Sequence, residues 1–282
     1  MSLLDEFGIP AGHQSLAYNN HNRTVYLSGD GSDSIVVIDA DRCKSIARVG
    51  VGRPVGALCY NPAENKLYCS YAYVDTVAVL DGTSHQMLAK VGVGDTARMF
   101  CYDSIDNKLY VGGWRGSGLV GVIDCRIDSL VAMVEGSGSY AYGMCFVGAH
   151  RTIYVLSGSD STVIAIDCSA DTILARIPLA RRAFSLRYNP TNDRVYCESW
   201  YGVIYGIDAA SNQVVSVIQR GGDGLECDPA RNVLFAQYGD SLRVVDCRAD
   251  TVFFAVKLPS GGYAVVGYDP LADRIFVAQD GG

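Results

Sequence analysis

The sequence has little proline, no long apolar run and no excess of positive charge. Only 8 of the 282 residues are proline, while 31 are glycine and 49% are apolar, a composition typical of a globular chain rather than a collagen-like or disordered one. No segment approaches the roughly 18 consecutive apolar residues of a membrane-spanning helix, so we expect no membrane insertion. The 23 basic and 30 acidic residues leave a net charge of −7, which argues against sequence-independent binding to nucleic acid.

Motifs for several kinds of active site are also missing. The absence of C-x-x-C and C-x-x-C-H excludes zinc-ribbon and covalent c-haem sites. There is no G-x-S-x-G between a strand and a helix, which excludes a nucleophile elbow. His21, His85 and His150 fall in turns of different repeats and His13 lies toward the opposite face, so we predict neither a metal site nor a cofactor. The segment GDGSDS, residues 29–34, lacks the distant Glu of an EF-hand and suits a plain turn.

Two residue types recur along the whole chain at a nearly constant interval. The aromatic residue of an element resembling K/R-x-Y occurs at spacings of 39 to 44 residues, at Tyr26, Tyr68, Tyr110, Tyr154, Tyr196, Phe235 and Phe276. An Asp that follows an apolar residue recurs at Asp39, Asp81, Asp124, Asp167, Asp208 and Asp246. A period near 40 residues is typical of a propeller blade. We expect each Asp to cap its own turn by accepting backbone N–H bonds rather than to act in catalysis.

Each repeat contains four short segments of strand-forming residues separated by turn formers. In the second repeat these are residues 57–60, 67–70, 76–80 and 87–91. Their apolar residues alternate or run together and do not follow a helical period. We therefore predict an all-β fold, a seven-bladed β-propeller that forms a single domain over residues 1–282.

The blade boundaries follow from the repeat. We place the blades near residues 15–49, 57–91, 99–134, 143–177, 184–218 and 225–258, with the seventh formed by 263–282 together with 3–8. Both termini would then close the last blade. That blade either has three strands or is completed by chain beyond Gly282, in which case this sequence is a piece of a longer protein.

The repeats resemble those of a known family. The phrases RTVYLSGDGSDSIVVIDADRCKSIARVGVG, NKLYCSYAYVDTVAVLDGTSHQMLAKVGVG and RTIYVLSGSDSTVIAIDCSADTILARIPL are similar to the YVTN family of β-propeller repeats, which carry Y-V-x-N followed by V-I-D-x-x-T-N. The likeness covers nearly the whole chain, although Ser, Gly or Glu replaces the Asn of Y-V-x-N. The resemblance implies a propeller at the cell surface or outside the cytoplasm, and it leaves the function open because such repeats serve many roles.

Ten cysteines could form a disulfide framework, but their positions within the repeat favour buried thiols. Cys59, Cys101, Cys145 and Cys227 share one strand position, and Cys69 and Cys197 another, where other repeats carry Ala, Val or Leu. Only Cys59 and Cys69 share a hairpin closely enough to pair. Free thiols suit a reducing or anoxic compartment, whereas the family resemblance implies the cell surface, so the localisation stays open.

One face of the predicted propeller is rich in aromatic and charged residues. In a propeller, the loop between the second and third strands and the connection to the next blade emerge on the same side. The residues that we predict to bind a ligand there are Tyr71, Trp114, Arg115, Trp200 and Tyr201 in the first set of loops, and Arg53, Asp95, Tyr140, Arg182, Asp223 and Tyr263 in the second. Tyr73, Tyr142 and Tyr238 extend the face. Aromatic and Arg side chains on loops of a rigid scaffold are typical of recognition sites. The alternative is that these rings only cover the ends of the blades and pack on neighbouring loops.

The leading functional hypothesis is a non-catalytic propeller that binds a protein, peptide or glycan partner through this face. A propeller enzyme or cofactor carrier, lactonase-like or lyase-like, is the alternative from another class. Its best set of residues at a channel mouth would be Asp95, Arg98, Arg182, Asp223 and His13, which has no recognisable spacing. A structural module of a longer surface protein is a third hypothesis.

Overall fold

The computed structural model describes residues 13–29, 31–113, 118–136, 140–199, 202–219, 224–258, 266–269 and 274–277. Over these residues the chain is built from β-strands, and its only helical element is the 3-10 turn Gly148–His150. No helix in this part of the chain is long and apolar enough to cross a membrane. The chain divides into two compact units, Met1–Ala141 with Cys168–Thr172, and Tyr142–Asp167 with Ile173–Gly282.

The first unit contains three antiparallel sheets, each made of four consecutive strands in chain order. Sheet 1 comprises β1 (His13–Asn19), β2 (Thr24–Gly29), β3 (Ser34–Asp39) and β4 (Lys44–Gly50). Sheet 2 comprises β5 (Val55–Asn61), β6 (Lys66–Tyr71), β7 (Thr76–Asp81) and β8 (Met87–Gly92). Sheet 3 comprises β9 (Ala97–Asp103), β10 (Lys108–Gly113), β11 (Leu119–Asp124) and β12 (Ser129–Glu135).

The second unit repeats this arrangement. Sheet 4 comprises β13 (Ala141–Val147), β14 (Thr152–Ser157), β15 (Thr162–Asp167) and β16 (Thr172–Pro178). Sheet 5 comprises β17 (Ala183–Asn189), β18 (Arg194–Ser199), β19 (Val203–Asp208) and β20 (Gln213–Gln219). Sheet 6 comprises β21 (Leu225–Asp228), β22 (Val233–Tyr238), β23 (Ser241–Asp246) and β24 (Thr251–Lys257). A two-stranded sheet pairs β25 (Val266–Asp269) with β26 (Arg274–Val277).

The position of a strand within its sheet explains its apolar pattern. Every residue of β14, a second strand, is buried, and its sequence TIYVLS is almost continuously apolar because other residues cover both of its faces. The fourth strand β16 alternates between exposed and covered residues over TILARIP, as expected for a strand with one face toward solvent. Burial of both faces thus explains the continuous apolar runs in the sequence, which do not follow the period of a helix.

Successive sheets within each unit pack face to face. In the first unit Ile35 and Val37 of β3 share a buried cluster with Leu58 of β5. In the second unit Tyr154 of β14 and Ile177 of β16 share one with residues of β17 and β18. Packing of each four-stranded sheet on the next is how propeller blades cover their apolar faces.

The predicted all-β fold with repeated four-stranded sheets is confirmed, and six such sheets are observed. The segment predicted as the seventh blade shows two strands, β25 and β26, within the described residues. The predicted contribution of residues 3–8 lies outside them. The count of seven blades therefore stays a prediction.

The repeated Asp caps a turn, as predicted. Oδ1 of Asp39 accepts hydrogen bonds from the backbone N–H groups of Asp41 and Arg42, both at 2.9 Å. Oδ1 of Asp81 accepts them from Thr83 at 3.0 Å and Ser84 at 2.6 Å, and these bonds hold the pKa of Asp81 below its usual value. Asp124, Asp208 and Asp246 accept backbone bonds in the same way. These carboxylates therefore serve local structure.

The ten cysteines are free thiols, as predicted for most of them. Seven are buried, and Cys43, Cys59 and Cys145 are half-buried. Burial raises the pKa of Cys69 and of Cys227 to about 12, because charged thiolates are poorly solvated in an apolar interior. The thiols behave as small apolar side chains of the core.

The K/R-x-Y element joins neighbouring sheets. Lys66 and Tyr68 lie two residues apart on β6, so both side chains point to the same face of the strand. Tyr68 Oη donates to Asp128 Oδ1 at 2.6 Å and Lys66 Nζ donates to Asp128 Oδ2 at 2.7 Å. Asp128 lies in the turn between β11 and β12 of the next sheet and has a left-handed backbone, with φ of 51°. The sequence repeat is thus one half of a contact between sheets.

Candidate functional site

The described residues of the first unit form a pocket of about 480 Å³. It lies among the first strands of sheets 1, 2 and 3 and the loop that joins β6 to β7. The residues that line it are Ser15, Gly56, Ala57, Leu58, Ala72, Tyr73, Thr96, Ala97, Arg98, Met99 and Phe100. We call this site the Tyr73 pocket. Its volume falls within the range of about 300–1,000 Å³ that ligand sites occupy.

Small residues in β5 leave space for the pocket. The strands β1, β5, β9, β13 and β17 are each seven residues long, and their second residues are Gln14, Gly56, Arg98, Tyr142 and Phe184. Glycine therefore stands in β5 where the other four strands carry long side chains. A β-carbon on Gly56 would lie 2.8 Å from Ser70 Oγ, so the close approach of this hydroxyl requires glycine.

Hydroxyl groups replace part of the strand ladder along the pocket wall. The pairing of β5 with β6 is irregular between Val55 and Leu58. Ala57 N donates to Ser70 Oγ at 2.8 Å, and Leu58 N donates to Ser15 Oγ at 2.9 Å. Gly56 O accepts a hydrogen bond from Ser28 Oγ at 2.8 Å. A bulge held by side chains thus shapes the wall, as is common next to functional sites.

Tyr73 stands at the rim with an unusual backbone. It is 66% exposed and has φ of 67°, in the left-handed region that disfavours bulky residues. Tyr140, in the connection from β12 to β13, is 39% exposed and has φ of 62°. Most other residues with positive φ in the described chain are Asn, Asp, Arg or Ser in tight turns. Strain of this kind is concentrated at functional sites, so an exposed ring on such a backbone suggests recognition.

Among the described residues that line the pocket, Arg98 is the one that carries a charge, and it is exposed. The neighbouring Asp95 is buried, and its Oδ1 accepts a hydrogen bond from Thr96 N at 2.6 Å. A β-carbon on Gly113 would collide with Asp95 Oδ2, so this carboxylate lies against β10. Asp95 is not part of the pocket lining.

The described residues of the predicted face differ in exposure. Tyr71 is only 2% exposed, its Oη donates to Val51 O at 2.9 Å, and Lys90 Nζ lies 5.7 Å from the ring centroid. This ring therefore packs inside the first unit, and Tyr73 is the exposed ring of the same loop. Arg53 is exposed. In the second unit Arg182 is exposed, and its Cζ lies 5.7 Å from the ring centroid of Tyr142.

Six predicted ligand-binding residues lie outside the described residues: Trp114, Arg115, Trp200, Tyr201, Asp223 and Tyr263. Of the alternative catalytic set, Asp223 and the side chain of His13 also lie outside them. Within the part of the chain that the structure describes, no group of three or more His, Cys, Asp or Glu residues could hold a metal ion.

Sequence reasoning missed most of the pocket lining. Gly56, Met99 and Phe100 lie in first strands whose sequences are typical of ordinary core, and Arg98 was predicted only as part of the alternative catalytic set. The available signal was the glycine at the second position of β5, where the other first strands carry Gln, Arg, Tyr or Phe. A glycine at this position predicts a cavity only when the strands that pack beside it are known.

Comparison with known proteins identifies the fold but no family. No protein-family model and no curated protein matches the chain. Among solved structures, it resembles a WD40-type β-propeller from the "Crystal Structure of Mitotic Checkpoint Complex", with a TM-score of 0.76 and 14% sequence identity, over 94% of this chain and 83% of that chain. A likeness at this identity shows a β-propeller fold alone. The resemblance to YVTN repeats stays a prediction.

Proposed function

We propose that the protein is a non-catalytic binding propeller that recognises a protein, peptide or glycan partner through its loop face. The observation that carries the proposal is the exposed ring of Tyr73, on a left-handed backbone, at the rim of a pocket of about 480 Å³. Rigid aromatic side chains beside a preformed pocket provide much of the binding energy at recognition sites.

The fold comparison supports a role in binding. The similar propeller belongs to a mitotic checkpoint complex, so that protein functions within an assembly of proteins. A propeller presents many loops on a rigid scaffold, which suits recognition better than it suits any particular chemistry.

Finer parts of the sequence interpretation belong to the same proposal. They are a propeller of seven blades in one domain over residues 1–282, YVTN-like repeats, and a place at the cell surface. The wider face would include Trp114, Arg115, Trp200, Tyr201, Asp223 and Tyr263 together with Arg53, Tyr140 and Arg182. Tyr71 and Asp95, which the sequence also placed on this face, are left out because both are buried.

Substitution of Tyr73 tests the proposal. Peptides selected on the purified protein from a random display library, and binders found on a glycan array, serve as probes. We expect Tyr73→Ala to weaken their binding by about 1–4 kcal/mol, the range for aromatic hot spots. Tyr18→Ala is the matched control, because Tyr18 is 46% exposed and does not line the pocket. The proposed site would be overturned if wild type, Tyr73→Ala and Tyr18→Ala bound every probe with equal affinity. It would also be overturned if both Tyr73→Ala and Tyr18→Ala lost binding.

A further inference from the structure

We infer that His85 is a pH-sensitive switch in the contact between sheets 1 and 2, and that its neutral imidazole stabilises this contact while protonation loosens it. The inference concerns the scaffold and goes beyond the proposed binding function. It follows from the position of His85 in the repeat, from the packing of its ring and from the charges around it.

His85 stands where sheets 3, 4 and 5 carry an acceptor for the tyrosine of the preceding sheet. It lies in the turn between β7 and β8, and its φ of 59° is left-handed like that of Asp128. At the same place in sheets 3 and 5, Asp128 and Asn212 accept hydrogen bonds of 2.6 and 2.7 Å from the tyrosines of sheets 2 and 4. In sheet 1, Tyr26 Oη donates instead to Gly82 O, at 2.9 Å. His85 therefore meets the tyrosine through its ring.

The packing of the ring suits a neutral imidazole. The ring centroids of His85 and Tyr26 lie 5.7 Å apart with an interplanar angle of 87°, which is the edge-to-face arrangement that aromatic pairs prefer. Nε2 of His85 is buried and has no hydrogen-bond partner within the described part of the chain. In the neutral ring the proton can reside on Nδ1, which leaves Nε2 as an acceptor. Protonation adds an N–H donor at Nε2, and a buried donor without an acceptor costs free energy.

The charges around the ring compensate a positive charge only in part. The titratable groups that contact or act on His85 are Tyr26 and Asp81, which lies at the start of the same turn. Oδ1 of Asp81 is engaged by two backbone N–H groups of that turn. On β2 the residue two places before Tyr26 is the uncharged Thr24. Burial lowers the pKa of His85 from its usual value of 6.5, and the attraction of Asp81 offsets this only partly.

The direction of the pH effect follows from the lowered pKa. Well above pH 6.5 His85 is neutral in the folded and in the unfolded protein, and the contact keeps its full stability. As the pH falls below 6.5 the unfolded chain takes up the proton first. The equilibrium then shifts toward unfolding by up to about tenfold per pH unit, until the folded protein is protonated as well. Mild acid therefore weakens the contact that His85 makes between sheets 1 and 2.

Two measurements on the whole chain test the inference. An NMR titration of the four histidine rings, with His85 assigned by its contact with the Tyr26 ring, should give His85 a pKa below 6.5. Urea unfolding at about pH 7.5 and about pH 5 should show a larger loss of stability in wild type than in His85→Asn. Asparagine supplies the uncharged acceptor that Asn212 provides in sheet 5. We expect the acid-induced change in the unfolding constant to be about three- to tenfold larger in wild type.

His21→Asn is the matched control, because His21 lies exposed in the turn between β1 and β2, and this variant should keep the acid sensitivity of wild type. A pKa of 6.5 or above for His85 in the folded protein would overturn the inference, since the Tyr26 ring or Asp81 would then stabilise the imidazolium. Equal acid sensitivity of wild type and His85→Asn would overturn it as well. If His85→Asn does not fold, the titration of the wild-type ring still decides between the two outcomes.

Discussion

Tyr154 donates a hydrogen bond of 2.7 Å to the neutral amide oxygen of Asn212, at the position where Tyr68 donates to the carboxylate of Asp128. The residue two places before each tyrosine explains the difference. Lys66 precedes Tyr68 and pairs with Asp128, whereas the uncharged Thr152 precedes Tyr154. Lys108 with Asp171, and Arg194 with Asp250, follow the charged pattern. A buried charge is present on one side of this contact only where the other side neutralises it.

This matching predicts strong coupling between Lys66 and Asp128. Their side chains are 13% and 14% exposed, so removing either charge leaves the other poorly solvated. We expect Lys66→Thr and Asp128→Asn each to lower the free energy of unfolding by about 1.5–3 kcal/mol. The double variant reproduces the Thr152–Asn212 pair and should be more stable than the sum of the two losses predicts, by about 0.5–3 kcal/mol.

Urea denaturation of the wild type, the two single variants and the double variant gives the free energies of a double-mutant cycle. A charge change on the exposed Arg42, such as Arg42→Thr, is the control and should alter stability by no more than about 0.5 kcal/mol. Additive losses in the double variant would contradict the coupling.

The buried thiols predict slow modification in the folded state. At pH 8 a thiol reagent should react rapidly with at most the three half-buried cysteines, Cys43, Cys59 and Cys145. After unfolding in urea without reductant, all ten should react. A lower count after unfolding would show that the protein in solution contains disulfides.

Alkaline pH should destabilise the fold. The pKa of Cys69, of Cys168 and of Cys227 is about 12 in the folded state, against 9.0 for the unperturbed thiol. Below pH 9 both states keep the proton and the stabilisation is fully present. Between pH 9 and 12 only the unfolded state releases it, so each thiol lowers the free energy of unfolding by up to about 1.4 kcal/mol per pH unit.

Urea midpoints between pH 7.5 and 10.5 measure this slope. Cys69→Ala removes one of the thiols at a position where the sixth repeat already has Ala236, and it should make the slope shallower. A slope that is the same in wild type and variant would assign the alkaline loss to other groups.

The exposure of the two rings in the loop after β6 could not be read from the sequence. Tyr71 and Tyr73 are both aromatic, two residues apart and next to the same turn. Tyr71 ends β6 and reaches Val51 O, while Tyr73 itself has a left-handed backbone and is 66% exposed. Which ring is buried depends on the residues that cover it, and those come from another part of the chain.

The sequence by itself determined the elements that depend on neighbours along the chain. Alternation and apolar runs predict the four strands of each repeat. The repeated Asp caps its turn through backbone N–H groups two or three residues away at Asp39, Asp81, Asp124, Asp208 and Asp246. These interactions are local and recur with the same residue types, so the pattern alone reveals them.

Only the tertiary structure decided which groups meet across sheets. Tyr68 and Asp128 lie 60 residues apart, and the pocket combines the glycine of β5 with Arg98 of β9 and Tyr73 of a third segment. The sequence shows each of these residues but not their distances, because the packing of one sheet on the next sets which side chains are brought together. Contacts between the sheets therefore account for both the matched charges of the core and the pocket at the surface.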